Sequence, residues 1–151
     1  MFKNILLATD GSPASARAAQ LAVDLARVHG ARLTSVYVID PYPYQGVSET
    51  NPMGFQAYMS AAHEHADQAH AKVEVLCTQG GAAVELHSRR IEDTQATDGI
   101  LQAAREEGSD LIVVGSHGRT GIRRLMLGSV AGKVVAQSPV PVLVARAEGG
   151  E

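Results

Sequence analysis

The 151-residue sequence contains one cysteine, Cys77, and no tryptophan. A lone cysteine excludes an internal disulfide and any zinc site built from several thiolates. It also agrees with a reducing compartment, so a cytoplasmic location is expected. There is no excess of positive charge: 13 Lys and Arg stand against 16 Asp and Glu, a formal net charge of -3. Chains that depend on bulk attraction to nucleic acid or anionic lipid are usually basic, so neither partner is expected. No apolar run approaches the ~20 residues of a membrane span. Near the N-terminus only Ile5 to Ala8 are consecutively apolar, too short for a secretory core, so no targeting segment is expected there.

The chain does have the composition of a folded domain, 45% hydrophobic and 19% charged, and its length suits one domain. Apolar runs alternate with helical periodicity. Residues 3–9 carry Ile5, Leu6, Leu7 and Ala8 without a break, as a strand covered on both faces requires. Ser12-Pro13 reads as a helix start, with Ser as cap and Pro at the first helical position, and Gly30 as its stop. A second strand is predicted over 32–39, ended by the prolines at 41 and 43, and a long loop to about 52. A helix follows from about 54 to 78. Val84 and Leu86 alternate with Glu85 and His87, which predicts a third strand over 83–88 with one wet face. A helix over 97–107 contains Gly99, a residue that weakens helices by about 1 kcal/mol relative to Ala. Strands over 110–114 and 140–145 flank a glycine-rich loop and a helix from Ser129 to about Gln137.

Five strands separated by helices predict an α/β fold: a single open parallel sheet with helices on both faces. The unbroken first and fourth strands belong in the centre. The half-wet third strand and the fifth, with Pro141, belong at the edges. Right-handed crossovers then give the order 3-2-1-4-5. Chain order reverses between strands 1 and 4, and ligands of such sheets bind at the carboxyl ends beside that switch point.

Two loops meet there. One is Ala8-Thr9-Asp10-Gly11-Ser12; the other runs from Gly115-Ser116-His117-Gly118 through Arg119 to Gly128-Ser129. Gly115 and Gly118 permit positive φ and close approach of backbone to a ligand. Ser129 opens a helix whose first N–H groups are unpaired and carry the positive end of its dipole, a natural phosphate site. Its hydroxyl serves either as a cap or as a donor to phosphate. Asp10 offers an acceptor suited to a ribose hydroxyl. Arg119, Arg123 and Arg124 add positive charge, though a solvated face is the simpler account of them. Taken singly, each glycine is ordinary turn chemistry and Asp10 or Ser129 an ordinary cap; their conjunction at a switch point is what indicates a phosphate site. No G-x-x-x-x-G-K-[ST] loop, no G-x-G-x-x-G and no carboxylate pair suited to metal-assisted hydrolysis is present. No catalytic residue and no protein-ligated metal is therefore assigned.

The sequence closely resembles the universal stress protein family over residues 1–147, with 148–151 a polar tail. The nucleotide-binding branch carries G-x2-G-x9-G-[ST], matched here by Gly115, Gly118 and Gly128-Ser129. The opening Ile5 to Ser12 and the closing Pro139 to Val144 also look typical. The resemblance implies a Rossmann-like fold of the adenine nucleotide alpha hydrolase type that binds ATP. It implies that Ala8, Thr9 and Asp10 hold ribose and adenine, that Val38 meets the base, and that Val114 and Gly115 lie against the ribose. Gly118, Gly128, Ser129 and Val130 would receive the phosphates, often with Mg²⁺ or Mn²⁺ on the phosphate oxygens; His117 and Arg119 are further candidates in that loop. It also implies a homodimer through the last strand (Val140, Val142, Val144) and a role in stress response. A slow metal-dependent ATPase and a nucleotide-free interaction protein are the alternatives.

Weaker signals have plain readings. His63, Asp67 and His70 share a helix face, more simply a solvated face than a metal site. Cys77 suits a packing residue better than a redox sensor. Tyr42 and Tyr44 are candidates for stacking on adenine, or for shielding local surface.

Overall fold

The computed structural model describes residues 1–42, 52–117 and 127–146. β1 (Asn4–Ala8) is followed by α1 (Pro13–His29), β2 (Arg32–Ile39), α2 (Pro52–Thr78), β3 (Leu86–Glu92) and α3 (Ala96–Glu107). β4 (Leu111–Gly115), α4 (Ser129–Gln137) and β5 (Val142–Ala145) complete the chain. The five strands are parallel and ordered β3-β2-β1-β4-β5, as the sequence pattern predicts.

Alternation within the central strands builds the two sides of the core. Ile5, Leu7, Leu33, Leu111 and Val113 face α1 and α2, packing with Ala18, Ala22, Val73 and Cys77. Leu6, Val36, Ile112 and Val114 face α3 and α4, packing with Ile100, Ala103 and Val134. Cys77 is thus a buried packing residue, and burial pushes its thiol pKa up, away from the reactive thiolate. Asp110 clamps the sheet centre, its two carboxylate oxygens accepting the N–H groups of Lys3 (2.8 Å) and Asn4 (3.1 Å).

The helix signals hold. Ser12 caps α1 by accepting from the Ser15 N–H at 3.3 Å, and Gly30 and Gly108 end α1 and α3 in the left-handed conformation. Gly99 has a packing purpose in α3. A Cβ there would lie 2.8 Å from both γ-carbons of Val38, so the glycine lets the helix seat on β2.

Two strand boundaries differ from expectation. The third strand covers Leu86–Glu92, not 83–88. It pairs with β2 along its length, from Leu33↔Leu86 to Ile39↔Glu92. Its charged residues do not break it, because each finds a partner across the edge. Arg89 binds Glu106 (2.6 Å) and Glu107 (2.8 Å), and Arg90 binds Asp67 (2.9 Å). The last strand begins at Val142, not at residue 140. Val140 is held in a turn, its N–H and C=O both bonded to the Ser138 hydroxyl. His63, Asp67 and His70 point to separate partners: Glu92, Arg90, and Ser35 with the Arg89 carbonyl.

Candidate functional site

A cleft of about 570 Å³ opens at the carboxyl ends of the central strands. Its first wall is the turn after β1. The Thr9 N–H donates to Val36 O at 3.1 Å, and Thr9 Oγ1 accepts from the Gly11 N–H at 3.2 Å. Asp10 Oδ1 accepts both the N–H (2.9 Å) and the hydroxyl (2.6 Å) of Ser12. Among the described residues its other oxygen, Oδ2, has no partner. Gly11 adopts φ +75, and a Cβ there would meet the Ala69 Cβ at 3.0 Å, so α2 presses directly on this turn. Lys72 adds a strap, donating from Nζ to Gly11 O at 2.8 Å.

The floor follows from where the β1–β2 ladder stops. Backbone groups in a strand alternate sides, and Arg32 and Val36 bond toward β1. Val38 is two residues past Val36 and so directs its N–H and C=O the same way. The last β1–β2 pair is Ala8↔Val36, so β1 has ended. A backbone donor and acceptor of Val38 thus face the cleft while its side chain packs on Gly99.

The second wall is the end of β4 and the start of α4. Gly128 is the N-cap, with no side-chain cap, and its N–H donates to Ser116 O at 2.7 Å. A Cβ on Gly128 would stand 2.7 Å from that same oxygen. Gly115 does not use the positive φ expected of it. Its value is space, since a Cβ would lie 3.2 Å from His117 O and 3.4 Å from Ala14 O. The first intrahelical bond is Gly132 N–H to Gly128 O, 2.9 Å. Among the described residues the N–H groups of Ser129, Val130 and Ala131 are therefore the unpaired first turn, and all three residues line the cleft. Ser129 is the first helical residue, and its hydroxyl does not cap the helix.

His117 borders the same wall. Among the described residues the Ser116 hydroxyl meets His117 Nδ1, 3.3 Å away. Nε2 is buried without a partner among the described residues. A buried ring nitrogen left this way calls for a hydrogen-bonding partner.

Ten of the expected site residues thus border one cleft: Ala8, Thr9, Asp10, Val38, Val114, Gly115, His117, Gly128, Ser129 and Val130. Gly118 and Arg119 lie outside the described residues, as do Arg123, Arg124 and Tyr44. Sequence reasoning missed the side walls, Tyr58, Ala61, Ala62 and His65 from α2 and Ala96 and Ile100 from α3. The α2 set has a legible signal in its spacing of i, i+3, i+4 and i+7, one helix face. Among the described residues no three His, Cys, Asp or Glu side chains converge on one point. No helix of the described residues is long and apolar enough to cross a membrane.

Comparison with known proteins agrees with this geometry. A model of the universal stress protein family matches residues 1–146. A universal stress protein of Thermus aquaticus is 39% identical over 147 residues, 97% of this chain and 100% of that one. The structure of the universal stress protein UspA from Lactobacillus plantarum superposes with a TM-score of 0.79 at 28% identity, covering 95% of this chain and 97% of the other. A more distant fold neighbour is a universal stress protein from Archaeoglobus fulgidus, solved in complex with dAMP. It shares 20% identity and a TM-score of 0.66, over 95% of this chain and 97% of its own. The motif, the strand order and the matched length converge, and the chain belongs to the universal stress protein family.

Proposed function

We propose that this protein binds an adenine nucleotide, ATP in the first instance, and acts as a nucleotide-responsive homodimer in the stress response. One observation carries the reading: three kinds of uncommitted hydrogen-bonding groups border a single cleft. The Val38 backbone edge pairs a donor with an acceptor, which complements N1 and the N6 amino group of adenine. The Asp10 carboxylate suits ribose hydroxyls. The bare N–H groups of Ser129 and Val130, with the Ser129 hydroxyl and, in the tautomer that carries its proton there, His117 Nε2, suit phosphate oxygens. Gly118 and Arg119 belong to the same proposed set through the motif. The dAMP held by the Archaeoglobus fulgidus fold neighbour is consistent with this chemistry.

Mg²⁺ or Mn²⁺ belongs to the same reading, held through the phosphate oxygens. Homodimer formation is supported by the β5 edge. Val142 and Val144 are only half-buried there. An uncovered apolar strand edge is a hazard that a second copy removes. Light scattering should give twice the chain mass, and Val142→Lys should shift it to monomer; a monomeric parent contradicts this part. A cytoplasmic location belongs to the same reading, on the single Cys77 with no disulfide partner, and cell fractionation checks it.

Isothermal titration with ATP, ADP and AMP tests the central statement. One nucleotide per chain is expected. Folded protein that gives no heat with any of the three contradicts it. With no tryptophan and four tyrosines, the protein absorbs weakly, so a co-purified nucleotide will also stand out in the ultraviolet spectrum.

A further inference from the structure

The turn after β1 is held by a residue that lies outside the cleft. Its central peptide unit, between Gly11 and Ser12, is engaged on both sides. The N–H, on Ser12, donates to Asp10 Oδ1 at 2.9 Å. The C=O, on Gly11, accepts from Lys72 Nζ at 2.8 Å. The peptide is trans, so its C=O and N–H point to opposite sides of the chain. Drawing the carbonyl toward α2 therefore turns the N–H toward the Asp10 carboxylate. Each bond also polarises the peptide in the sense that strengthens the other. Gly11 stands at φ +75 and has no side chain, so the peptide that follows it can turn over at low steric cost and its orientation depends on its partners. Lys72 is one helical turn beyond Ala69, the residue that packs on Gly11, so one face of α2 grips the turn twice. Lys72 is exposed and does not border the cleft.

We propose that Lys72 is a positioning residue for nucleotide recognition: through the Gly11–Ser12 peptide it holds the Asp10 carboxylate in the orientation that receives the ribose hydroxyls. The inference rests on the nucleotide reading above and extends it to a residue that touches no part of the ligand. With Oδ1 engaged by the N–H and hydroxyl of Ser12, the carboxylate is not free to swing, and Oδ2 keeps one direction. Loss of the ammonium releases the peptide, and the carboxylate with it. A ligand with ribose hydroxyls then loses affinity. A ligand without them has nothing to lose at Asp10, because the Val38 edge and the first turn of α4 are unaffected.

The test is calorimetric titration with AMP and with dideoxy-AMP, which lacks both ribose hydroxyls. The proteins are the parent, Lys72→Met, Lys72→Arg, Asp10→Asn and the double variant of Lys72→Met with Asp10→Asn. The parent should bind AMP more tightly than dideoxy-AMP. Lys72→Met should weaken AMP about three- to ten-fold and dideoxy-AMP less than about two-fold. The melting temperature of the free protein should barely move, since Lys72 is exposed. Lys72→Arg, which keeps a cationic donor, should bind AMP close to the parent. In the Asp10→Asn background Lys72→Met should weaken AMP no further, because a residue that acts through Asp10 has nothing left to position. Additive losses in the double variant overturn the proposal. So does a folded Lys72→Met that binds AMP like the parent, or one that loses both ligands equally, the mark of a merely structural role. A loss that grows from AMP to ATP overturns it as well, because Lys72 would then hold phosphate directly. Should Lys72→Met fail to fold, Lys72→Gln is read by the same criteria. If the parent binds neither compound, the nucleotide reading fails and this inference with it. If the parent binds AMP and Lys72 is indifferent, this inference alone fails.

Discussion

Gly128 has no room for a side chain. A Cβ there would stand 2.7 Å from Ser116 O, and that oxygen is backbone, held by the Gly128 N–H itself. Gly128→Ala must push the start of α4 away from the end of β4. A loss of about 1–3 kcal/mol in thermal or denaturant unfolding is expected, the usual cost of overpacking. Nucleotide affinity should fall by more than stability alone explains, since the Ser129 and Val130 N–H groups move with the helix. A variant with parent stability and affinity would contradict this packing account. The glycine pattern was legible in the sequence because its spacing is unusual, and Asp10 because of its place at a strand end. The reason given for Gly115 was not: it serves by lacking bulk between Ala14 O and His117 O, not by positive φ. Spacing reveals that a side chain is absent; it does not reveal which neighbour needs it absent.

At the scale of the elements, Gly99 sets two effects against each other. Gly99→Ala gains about 1 kcal/mol of helix propensity in α3. Against this, the new methyl would lie 2.8 Å from both Val38 γ-carbons, and a β-branched side chain has little freedom to turn aside. Overpacking costs about 1–3 kcal/mol, so the net expectation is a lower melting temperature. Because Val38 carries the backbone edge of the proposed base site, weaker nucleotide binding should accompany it. An increase in melting temperature would mean that α3 seats more loosely than described. The sequence exposed Gly99 only as a flaw in a helix, since nothing local to α3 announces Val38 in β2.

The seam between α2 and the β2–β3 pair has a pH signature. His70 bonds Ser35 Oγ at 2.9 Å and the Arg89 carbonyl at 3.1 Å. Burial, chiefly, lowers its pKa below the ordinary 6.5, with nearby Arg90 adding to that; the Arg89 carbonyl and Asp67 oppose it. The unfolded chain then takes up the proton more readily than the folded one. This contribution to stability is complete above about pH 6.5 and is lost as pH falls through the depressed folded value. Melting temperature should decline as pH falls below about 6.5, and His70→Gln should flatten that decline. An identical pH profile in the variant would remove His70 as its source. The helical periodicity placed His70 on the same face as His63 and Asp67, but only the partners across the seam separate their roles.

For the whole molecule, strand order was the most legible property. Unbroken apolar runs in β1 and β4, a half-wet β3 and Pro141 before β5 are each consequences of position in the sheet, so they could be read backwards to 3-2-1-4-5. The extent of β3 was not legible. Arg89 and Arg90 look like a strand end until Glu106, Glu107 and Asp67 are seen beside them. The walls of the cleft were hidden for the same reason, since α2 and α3 reach it through tertiary packing and carry no motif. The most direct test of the account is a crystal structure of the protein grown with ATP. The base should lie at Val38, the ribose at Asp10 and the phosphates on the Ser129 and Val130 N–H groups; well-ordered nucleotide bound anywhere else on the chain would contradict it.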